Sequence, residues 1–378
     1  MDFRDAINIE DLRAIARRRL PRFVFDYVDG GAEDERTLAG NRESFARLRF
    51  RPRTLVDVSR RDLRAPILGS PSAMPAVVGP TGLNGLAWRD GDLELACAAT
   101  AAGLPFAMST VSMSLVEEVA RKAPGRLWLQ AYVFSERQIT EAIMRRALEA
   151  GFECLILTSD FPVAGKRERD LRTGLLPRQE FTLRTRLDLL MHPRWLATVA
   201  TRRPRFVNIE RELGPGRDVN SFVGHGMFDP SFRWDDLKRF RDLWPRKLLL
   251  KGVLRADDAE RALAAGCDGI VLSNHGGRQL DGAISGLDAL PEVSRAIGGR
   301  AAIFVDGGVR RGSHIAKAVA LGAAGVLLGR APVYGLAAGG REGVAHALGI
   351  LADEFDRTLA LTGCPDVASL APDLLARP

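Results

Sequence analysis

Cysteine is scarce in this 378-residue chain: Cys97, Cys154, Cys267 and Cys364 lie far apart, and no two form a CxxC pair. That spacing argues against a structural zinc and a disulfide scaffold, so no metal is expected and a reducing compartment is. No run of eighteen apolar residues exists, so the chain is not expected to span a bilayer. The opening "MDFRDAINIEDLRAIARRRL" interrupts its apolar positions with charge, which reads as an amphipathic helix and not as a signal peptide. Aromatics make up only 7% of the chain, with three tyrosines and five histidines, so each of these can be weighed singly. Acidic residues are in deficit, 47 against 54 Lys plus Arg. The resulting charge of +7 favours an anionic partner: a small acid, a phosphate, lipid headgroups or nucleic acid.

What is abundant is order-forming sequence. With 46% apolar and 27% charged residues the chain can bury a large core. From about residue 73 it alternates short apolar runs with longer amphipathic ones. The runs are "AVVG" (76–79), "PFAM" (105–108), "LWLQ" (127–130), "CLILT" (154–158), "KLLLK" (247–251), "GIVLS" (269–273), "AIFVD" (302–306) and "GVLLG" (325–329). Helical patterns such as "SERQITEAIMRRALEAG" separate them, several opening on Ser or Asp and closing on Gly. Eight such units predict an α/β fold, a (β/α)8 TIM barrel, preceded by an N-terminal helical segment. An open doubly wound sheet would carry GxGxxG after its first strand, and "VVGPTGLNG" lacks that form.

In a barrel the segments following the eight strands converge on one rim. "VDGGVRRGSH" (305–314) and "LLGRAPVYG" (327–335) each place glycine and an arginine, Arg310 and Arg330, at the start of a helix. Backbone amides freed in this way form an anion site, and the loops after strands seven and eight commonly hold a phosphate in barrels. Gln130, Thr158, Lys251 and Ser273 stand at strand ends, able to hydrogen-bond a flat heterocycle. Lys251 could also stabilise a developing anion. Of the histidines at 192, 225, 275, 314 and 346, only His275 follows a strand directly among polar, flexible neighbours.

The segment "SNHGGRQLD" resembles the signature of the FMN-dependent α-hydroxy-acid dehydrogenase and oxidase family. "FDYVDGGAEDERTL", "QAYVF", "LTSDFPVAGKRERDLR", "LLLKGV" and "VDGGVRRGS" match further family blocks in order, over nearly the whole chain. "GPTGLNG", "MHPRW" and "RDLWPRKLLLKG" look most similar to its membrane-associated, mandelate-oxidising members. The resemblance implies a barrel that binds FMN at its C-terminal mouth and spans residues 1–378 as a single domain. It makes His275 the base and Asp160 the carboxylate that orients it. It places Arg167 and Arg278 on the substrate carboxylate, Arg167 being preferred to its neighbour Arg169, with Tyr27 on the same side and Tyr132 near the hydroxyl or ketone oxygen. The flavin ring is expected against Pro80, Thr81 and Gly82, with Ser109, Gln130, Thr158, Lys251 and Ser273 along its edge. Gly307, Gly308, Arg310, Gly329 and Arg330 are expected on the phosphate, and Asp306 on a ribityl hydroxyl. His314 stands where relatives usually have an acidic residue, which suggests a surface change near the phosphate.

Two features bear on the electron acceptor. Gly82 occupies a place where oxidases of the family tend to have alanine. Roughly 85 residues separate Asp160 from Lys247, where a barrel needs only a short connection. Within this stretch, residues 181–211 hold seven arginines against Asp188 and Glu210, interleaved with Leu189, Leu190, Met191, Trp195, Leu196, Phe206 and Val207. Such a mixture suits adsorption to anionic lipid, and the segment 178–228 resembles a membrane-associating insertion; a solvated lid over the active site is the other reading. Together these imply oxidation of an (S)-2-hydroxy acid, aromatic and of the mandelate type, with electrons passed to a membrane quinone. The location expected is peripheral, on the cytoplasmic face of the inner membrane, in a homo-tetramer. The alternative is a soluble cytoplasmic oxidase of the lactate or glycolate type that releases hydrogen peroxide. A nucleic-acid partner is not expected, since no nucleic-acid motif accompanies the arginines.

Overall fold

In the computed structural model of the protein, which describes residues 1–175, 181–199, 205–214, 216–217, 219, 222 and 227–376, the eight apolar runs form one closed barrel. The strands are β1 (Ala76–Val78), β2 (Phe106–Ser109), β3 (Leu127–Tyr132), β4 (Cys154–Thr158), β5 (Lys247–Val253), β6 (Gly269–Leu272), β7 (Ala302–Asp306) and β8 (Gly325–Leu328). They pair in sequence order and all in parallel, with β8 closing on β1 through Leu328 opposite Val78. The protein is thus the (β/α)8 barrel that the spacing predicts.

The barrel interior explains why functional groups gather at one end. Strand side chains alternate in and out with a period of two. Val77, Ala107, Trp128, Ile156, Leu249, Val271, Phe304 and Leu327, one from each strand, fill a common apolar layer, with Trp128 and Phe304 edge to face at 5.8 Å. Truncating Trp128 to alanine would cost about 3–5 kcal/mol. Below this layer Ile67, from a small hairpin pairing Ala65–Ile67 with Ser70–Ser72, closes the N-terminal end. Two residues further along the strands, the same inward phase gives Gly79, Ser109, Gln130, Thr158, Lys251, Ser273, Asp306 and Gly329. The floor of the mouth is therefore polar because the pleat carries each strand from its core residue to its next inward position.

Helices α1 (Ile9–Arg19), α2 (Arg22–Asp29) and α3 (Arg36–Arg47) precede the barrel, and α2 delivers Tyr27 to the mouth. Between β4 and β5 run α4 (Glu168–Thr173), α5 (Leu183–Leu190), α6 (Pro193–Thr198) and α7 (Val207–Leu213). Parts of the basic segment, including Arg202, Arg203 and His225, lie outside the described residues.

Candidate active site

One cavity opens at the C-terminal mouth, lined by residues from all eight strand ends or the loops that follow them and by Tyr27 of α2. Its floor is a hydrogen-bonded row across three strands. Ser109 Oγ donates to Gln130 Oε1 at 2.8 Å, and Gln130 Nε2 donates to Thr158 Oγ1 at 2.7 Å. All three side chains are buried and their rotamers are fixed by one another, so they present a preformed polar edge.

Lys251 follows Thr158 in the register and is buried among acids. Its Nζ donates to Ser273 Oγ at 2.8 Å and lies 3.3 Å from Asp160 Oδ2 and 3.6 Å from Asp306 Oδ2. Burial alone would lower its pKa, but the two carboxylates outweigh that and raise it, so the ammonium is permanent. The strand bulges here: the register shifts between Lys251 and Val253, and Gly252 adopts φ +105°. A Cβ at Gly252 would lie 2.6 Å from Asp160 Cβ, so glycine is what admits the carboxylate beside the lysine.

His275 begins the run "HGG" in which three successive residues have positive φ, 58°, 63° and 76°. For histidine that conformation is strained. It is held by its own backbone N–H, which donates to Ser273 Oγ at 3.0 Å, while Gly277 is so tight against Leu38 that a Cβ would come within 2.6 Å of the Leu38 nitrogen. The imidazole is aimed in consequence. Nδ1 lies 2.8 Å from Asp160 Oδ1, and Nε2 lies 3.1 Å from the Tyr132 hydroxyl. A carboxylate only accepts, so Nδ1 carries the hydrogen and Nε2 presents its lone pair to the cavity. Lys251 Nζ, 3.4 Å from Nδ1, acts on this ring through its charge. Burial, and then Lys251, lower the pKa of His275 to about 4 despite Asp160, so the ring is a neutral base at ordinary pH. Asp160 is held at about 2: burial would raise it, but Lys251 and His275 prevail.

The opposite end of the cavity is built for an anion. Gly307 and Gly308 have φ of 85° and 82°, and a Cβ at Gly308 would lie 2.1 Å from the Asn41 carbonyl oxygen. Arg310 is buried, donates from NH1 to the Val309 carbonyl at 2.8 Å, and leaves Nε without a partner among the described residues. Asp306 Oδ2 accepts from Ser273 Oγ at 2.8 Å while its Oδ1 is buried and unpaired. An orphaned guanidinium nitrogen beside glycine amides fits a phosphate, and an orphaned carboxylate oxygen fits a hydroxyl donor; these residues suit FMN.

Two sequence expectations, for Ser273 and His314, are revised here, and Arg330 gains a second role. Arg330 lines the cavity, but it spends three donors on carbonyls: Nε on Val28 at 3.0 Å, NH1 on Gly276 at 2.9 Å and NH2 on Gly30 at 2.8 Å. It braces the end of α2 against the "HGG" loop, and since a guanidinium has five N–H donors, NH1 and NH2 each keep one hydrogen beyond these three bonds. Ser273 does not line the cavity; it bridges Lys251 and Asp306 from behind. His314 is no surface residue: it stacks flat on Phe45 at 4.4 Å, and burial and Lys317 lower its pKa to about 3.

On the substrate side, Arg167 is the N-cap of α4, and its Nε is buried without a partner among the described residues. Arg278 lies over the Tyr27 ring at 4.8 Å and donates from NH1 to the Tyr27 carbonyl at 2.6 Å and that of Gly30 at 3.0 Å. Burial and the nearby Arg278 charge lower the Arg167 pKa, as expected where two guanidiniums await an anion. Arg169 points elsewhere, onto Asp29 at 3.2 Å and Glu35, so it ties α4 to the N-terminal segment. Tyr27 OH is 3.4 Å from the Gly82 carbonyl, which puts α2 against the Pro80–Thr81–Gly82 loop. That loop is stiffened by Asn84, whose Nδ2 donates to the Thr81 carbonyl at 2.9 Å and to Asp92 Oδ1 at 2.8 Å.

Of the residues expected at the site, all but Asp160 and Ser273 line the cavity, and those two lie directly behind His275 and Lys251. Asn84, Val111 and Val333 line it unforeseen. Asn84 was within reach of the sequence, as a polar residue in the loop after the first strand. Val111 and Val333 carry no chemical signal.

Residues 16–377 match the family model described as FMN-dependent dehydrogenase. The chain is 47% identical over 369 residues to (S)-mandelate dehydrogenase from Pseudomonas putida, covering 97% of this chain and 93% of the relative. It is 41% identical to an L-lactate oxidase from Nostoc, covering 98% of each. A crystal structure of monotopic membrane protein (S)-mandelate dehydrogenase superimposes with a TM-score of 0.94 at 47% identity, covering 99% of this chain and 100% of that one. The protein therefore belongs to the FMN-dependent dehydrogenases. It is an FMN enzyme of the 2-hydroxy-acid-oxidising family.

Proposed function

We propose that the protein oxidises an (S)-2-hydroxy acid with an aryl side chain, mandelate or a near analogue, to the 2-keto acid, and delivers the electrons to a membrane quinone. The observation that carries the reading is the opposition, in one cavity, of the neutral Nε2 of His275 to the unpaired Nε of Arg167. Arg167 and Arg278 bind the carboxylate, with planar donors matched to its two oxygens. Tyr27 completes that side. His275 Nε2 takes a proton from the substrate, and Asp160 stabilises the imidazolium that results. Tyr132, whose pKa burial and Asp160 raise, stays a phenol and donates to the substrate oxygen. FMN, when bound, would supply the oxidant: as the alcohol becomes a ketone, one hydrogen leaves as the proton taken by His275, and the two electrons with the second hydrogen would go to the cofactor. Pro80, Thr81, Gly82, Ser109, Gln130, Thr158 and Lys251 would hold its ring, Lys251 offering charge to an electron-rich heterocycle. Asp306 would hold the ribityl chain; Gly307, Gly308, Arg310, Gly329 and Arg330 would hold the phosphate.

The membrane part of the reading rests on α5. Leu183, Leu187, Leu190 and Met191 recur at helical spacing on one face and are 74%, 57%, 69% and 78% exposed. Arg184, Arg186 and Arg194 flank them in solvent, a pattern suited to anionic lipid. Trp195 and Phe206, grouped with this apolar set in the sequence, are instead buried; Trp195 donates to the Leu86 carbonyl at 2.7 Å and anchors the segment to the barrel. No helix among the described residues is long and apolar enough to cross a membrane. The (S)-mandelate dehydrogenase whose structure is described as a monotopic membrane protein supports a peripheral location, proposed here for the cytoplasmic face, with 178–228 as the attaching insertion of a single 1–378 domain assembled as a tetramer.

The second reading, a soluble oxidase making peroxide, is favoured by the likeness to the L-lactate oxidase. Gly82 speaks for the first: a Cβ there would lie 2.7 Å from Val111 Cγ2 and 3.5 Å from the Tyr27 hydroxyl, so this site is built around glycine. Peroxide yield against reduction of a quinone-like dye, measured during turnover of mandelate, separates them. Dye reduction with little peroxide is expected; stoichiometric peroxide would overturn the quinone assignment.

A further inference from the structure

Behind the imidazole stands a group of aromatic rings to which the cavity chemistry gives no role. Phe161, next to Asp160, lies 5.1 Å from the His275 ring. Phe228, where the chain re-enters the barrel after the long excursion, lies 4.3 Å from Phe161, and both lie about 5 Å from Tyr132, at 5.0 and 5.1 Å. The three rings form a closed triangle with tilted or edge-on contacts, the arrangement aromatic quadrupoles prefer. Phe228 is fixed independently of the site. It bridges Phe134 at the end of β3, with Ser135 N–H donating to the Met227 carbonyl at 2.9 Å and Asp229 N–H to Val133 at 3.0 Å. Neither Phe161 nor Phe228 lines the cavity, and Arg167 lies over Phe161 at 5.7 Å.

We propose that Phe161 and Phe228 are positioning residues: an apolar wall that excludes water from the outer face of His275 and holds the imidazole, Tyr132 and Arg167 in mutual register. The proposal rests on the reading of His275 as the base. Polar and charged groups meet the imidazole elsewhere: Asp160 from β4 and Lys251 from β5 at Nδ1, Tyr132 from β3 at Nε2, and the charge of Arg167 from the start of α4, while Ser273 holds the His275 backbone N–H and Asp306 acts on the ring's neighbour Lys251. Phe161 presents an apolar ring to the imidazole, next to the Tyr132 ring that lies near-parallel to it at 6.0 Å. Burial is the largest cause of the low His275 pKa, and this wall supplies burial where no dipole does. A strained φ at His275 makes lateral support more necessary, since nothing in the backbone preference retains the ring.

The test follows the histidine ring directly. In the FMN-loaded enzyme carrying 13C-labelled histidine, the His275 resonance is assigned by its loss in His275→Asn and titrated in wild type, Phe161→Ala, Phe161→Leu and Phe228→Ala. The wild-type midpoint is expected near pH 4. Phe161→Ala should raise it by about one pH unit as water enters, Phe228→Ala by less, and Phe161→Leu, which keeps the apolar volume, hardly at all. The acid limb of flavin reduction should move in parallel. A midpoint unchanged in Phe161→Ala overturns the proposal; should that variant not fold, an unchanged midpoint in Phe228→Ala does the same. If the midpoints move as expected while no 2-hydroxy acid reduces the flavin, the wall stands and the enzymatic reading falls.

Discussion

Replacing Asp160 by asparagine probes the link between structure and rate most cleanly, because the carboxylate touches the base and not the cavity. Oδ1 accepts the Nδ1 hydrogen of His275 at 2.8 Å, and Oδ2 lies 3.3 Å from Lys251. The substitution keeps volume and removes charge. A charge-assisted hydrogen bond contributes about 1.5–3 kcal/mol, and it strengthens as the imidazole becomes imidazolium. The amide can also turn its NH2 toward Nδ1, forcing the hydrogen onto Nε2, where it blocks the base. Combining these effects, the barrier to proton transfer should rise by about 3–5 kcal/mol, a factor of roughly 10² to 10⁴ in rate. Lys251 retains Ser273 at 2.8 Å and Asp306 at 3.6 Å, so bound FMN should be unaffected. Stopped-flow flavin reduction under anaerobic conditions measures the rate, and the visible spectrum measures occupancy. A variant that holds FMN and reduces it within about threefold of wild type would refute the assignment of Asp160 and, with it, the tautomer argument.

Other outcomes follow from the same geometry. Arg167→Met removes the unpaired Nε and should raise KM by about 10²-fold, with a smaller change in kcat, since a charged hydrogen bond to the carboxylate is lost in ground and transition states alike. Gly308→Ala meets the Asn41 carbonyl at 2.1 Å in a φ +82° backbone and should give enzyme that purifies without flavin and melts at lower temperature. Serine at Leu183, Leu187, Leu190 and Met191 together should abolish sedimentation with anionic vesicles and leave flavin reduction intact; retained sedimentation would place the lipid contact elsewhere. His314 has its pKa depressed to about 3, so the unfolded chain binds its proton at about 6.5 while the folded one does not. Its share of stability is present above pH 6.5 and is lost progressively as pH drops toward about 3. His314→Phe, which keeps the stack on Phe45, should therefore lose less Tm than wild type between pH 7 and 5.

The fold was legible because eight apolar runs of strand length alternate with capped amphipathic stretches, and the pleat does the rest. Once Leu249 faces inward, so must Lys251, and the same step takes Phe304 to Asp306. The site was legible where a residue type is unusual for its place, as His275 and the glycine pairs are. What escaped was directional. Arg310 and Arg330 carry identical signals in sequence, yet one has a free buried nitrogen while the other gives three of its five donors to carbonyls 54 to 302 residues away. His314 looked exposed because nothing local announces that Phe45 will cover it. Within the basic stretch Leu190 on α5 is exposed and Trp195 on α6 is buried, a difference that their residue types alone do not carry. Phe161 and Phe228 went unnoticed since phenylalanines are expected in any core.

His275, Arg167 and Arg278 share one cavity with the residues that would hold FMN, and they are expected to serve a single reaction on a 2-hydroxy acid. Anaerobic mixing of the yellow enzyme with (S)-mandelate tests it directly. The flavin absorbance should bleach in the wild type and persist in His275→Asn with FMN still bound; a wild-type flavin that stays oxidised across a panel of 2-hydroxy acids, or a His275→Asn flavin that bleaches as fast, would contradict the account.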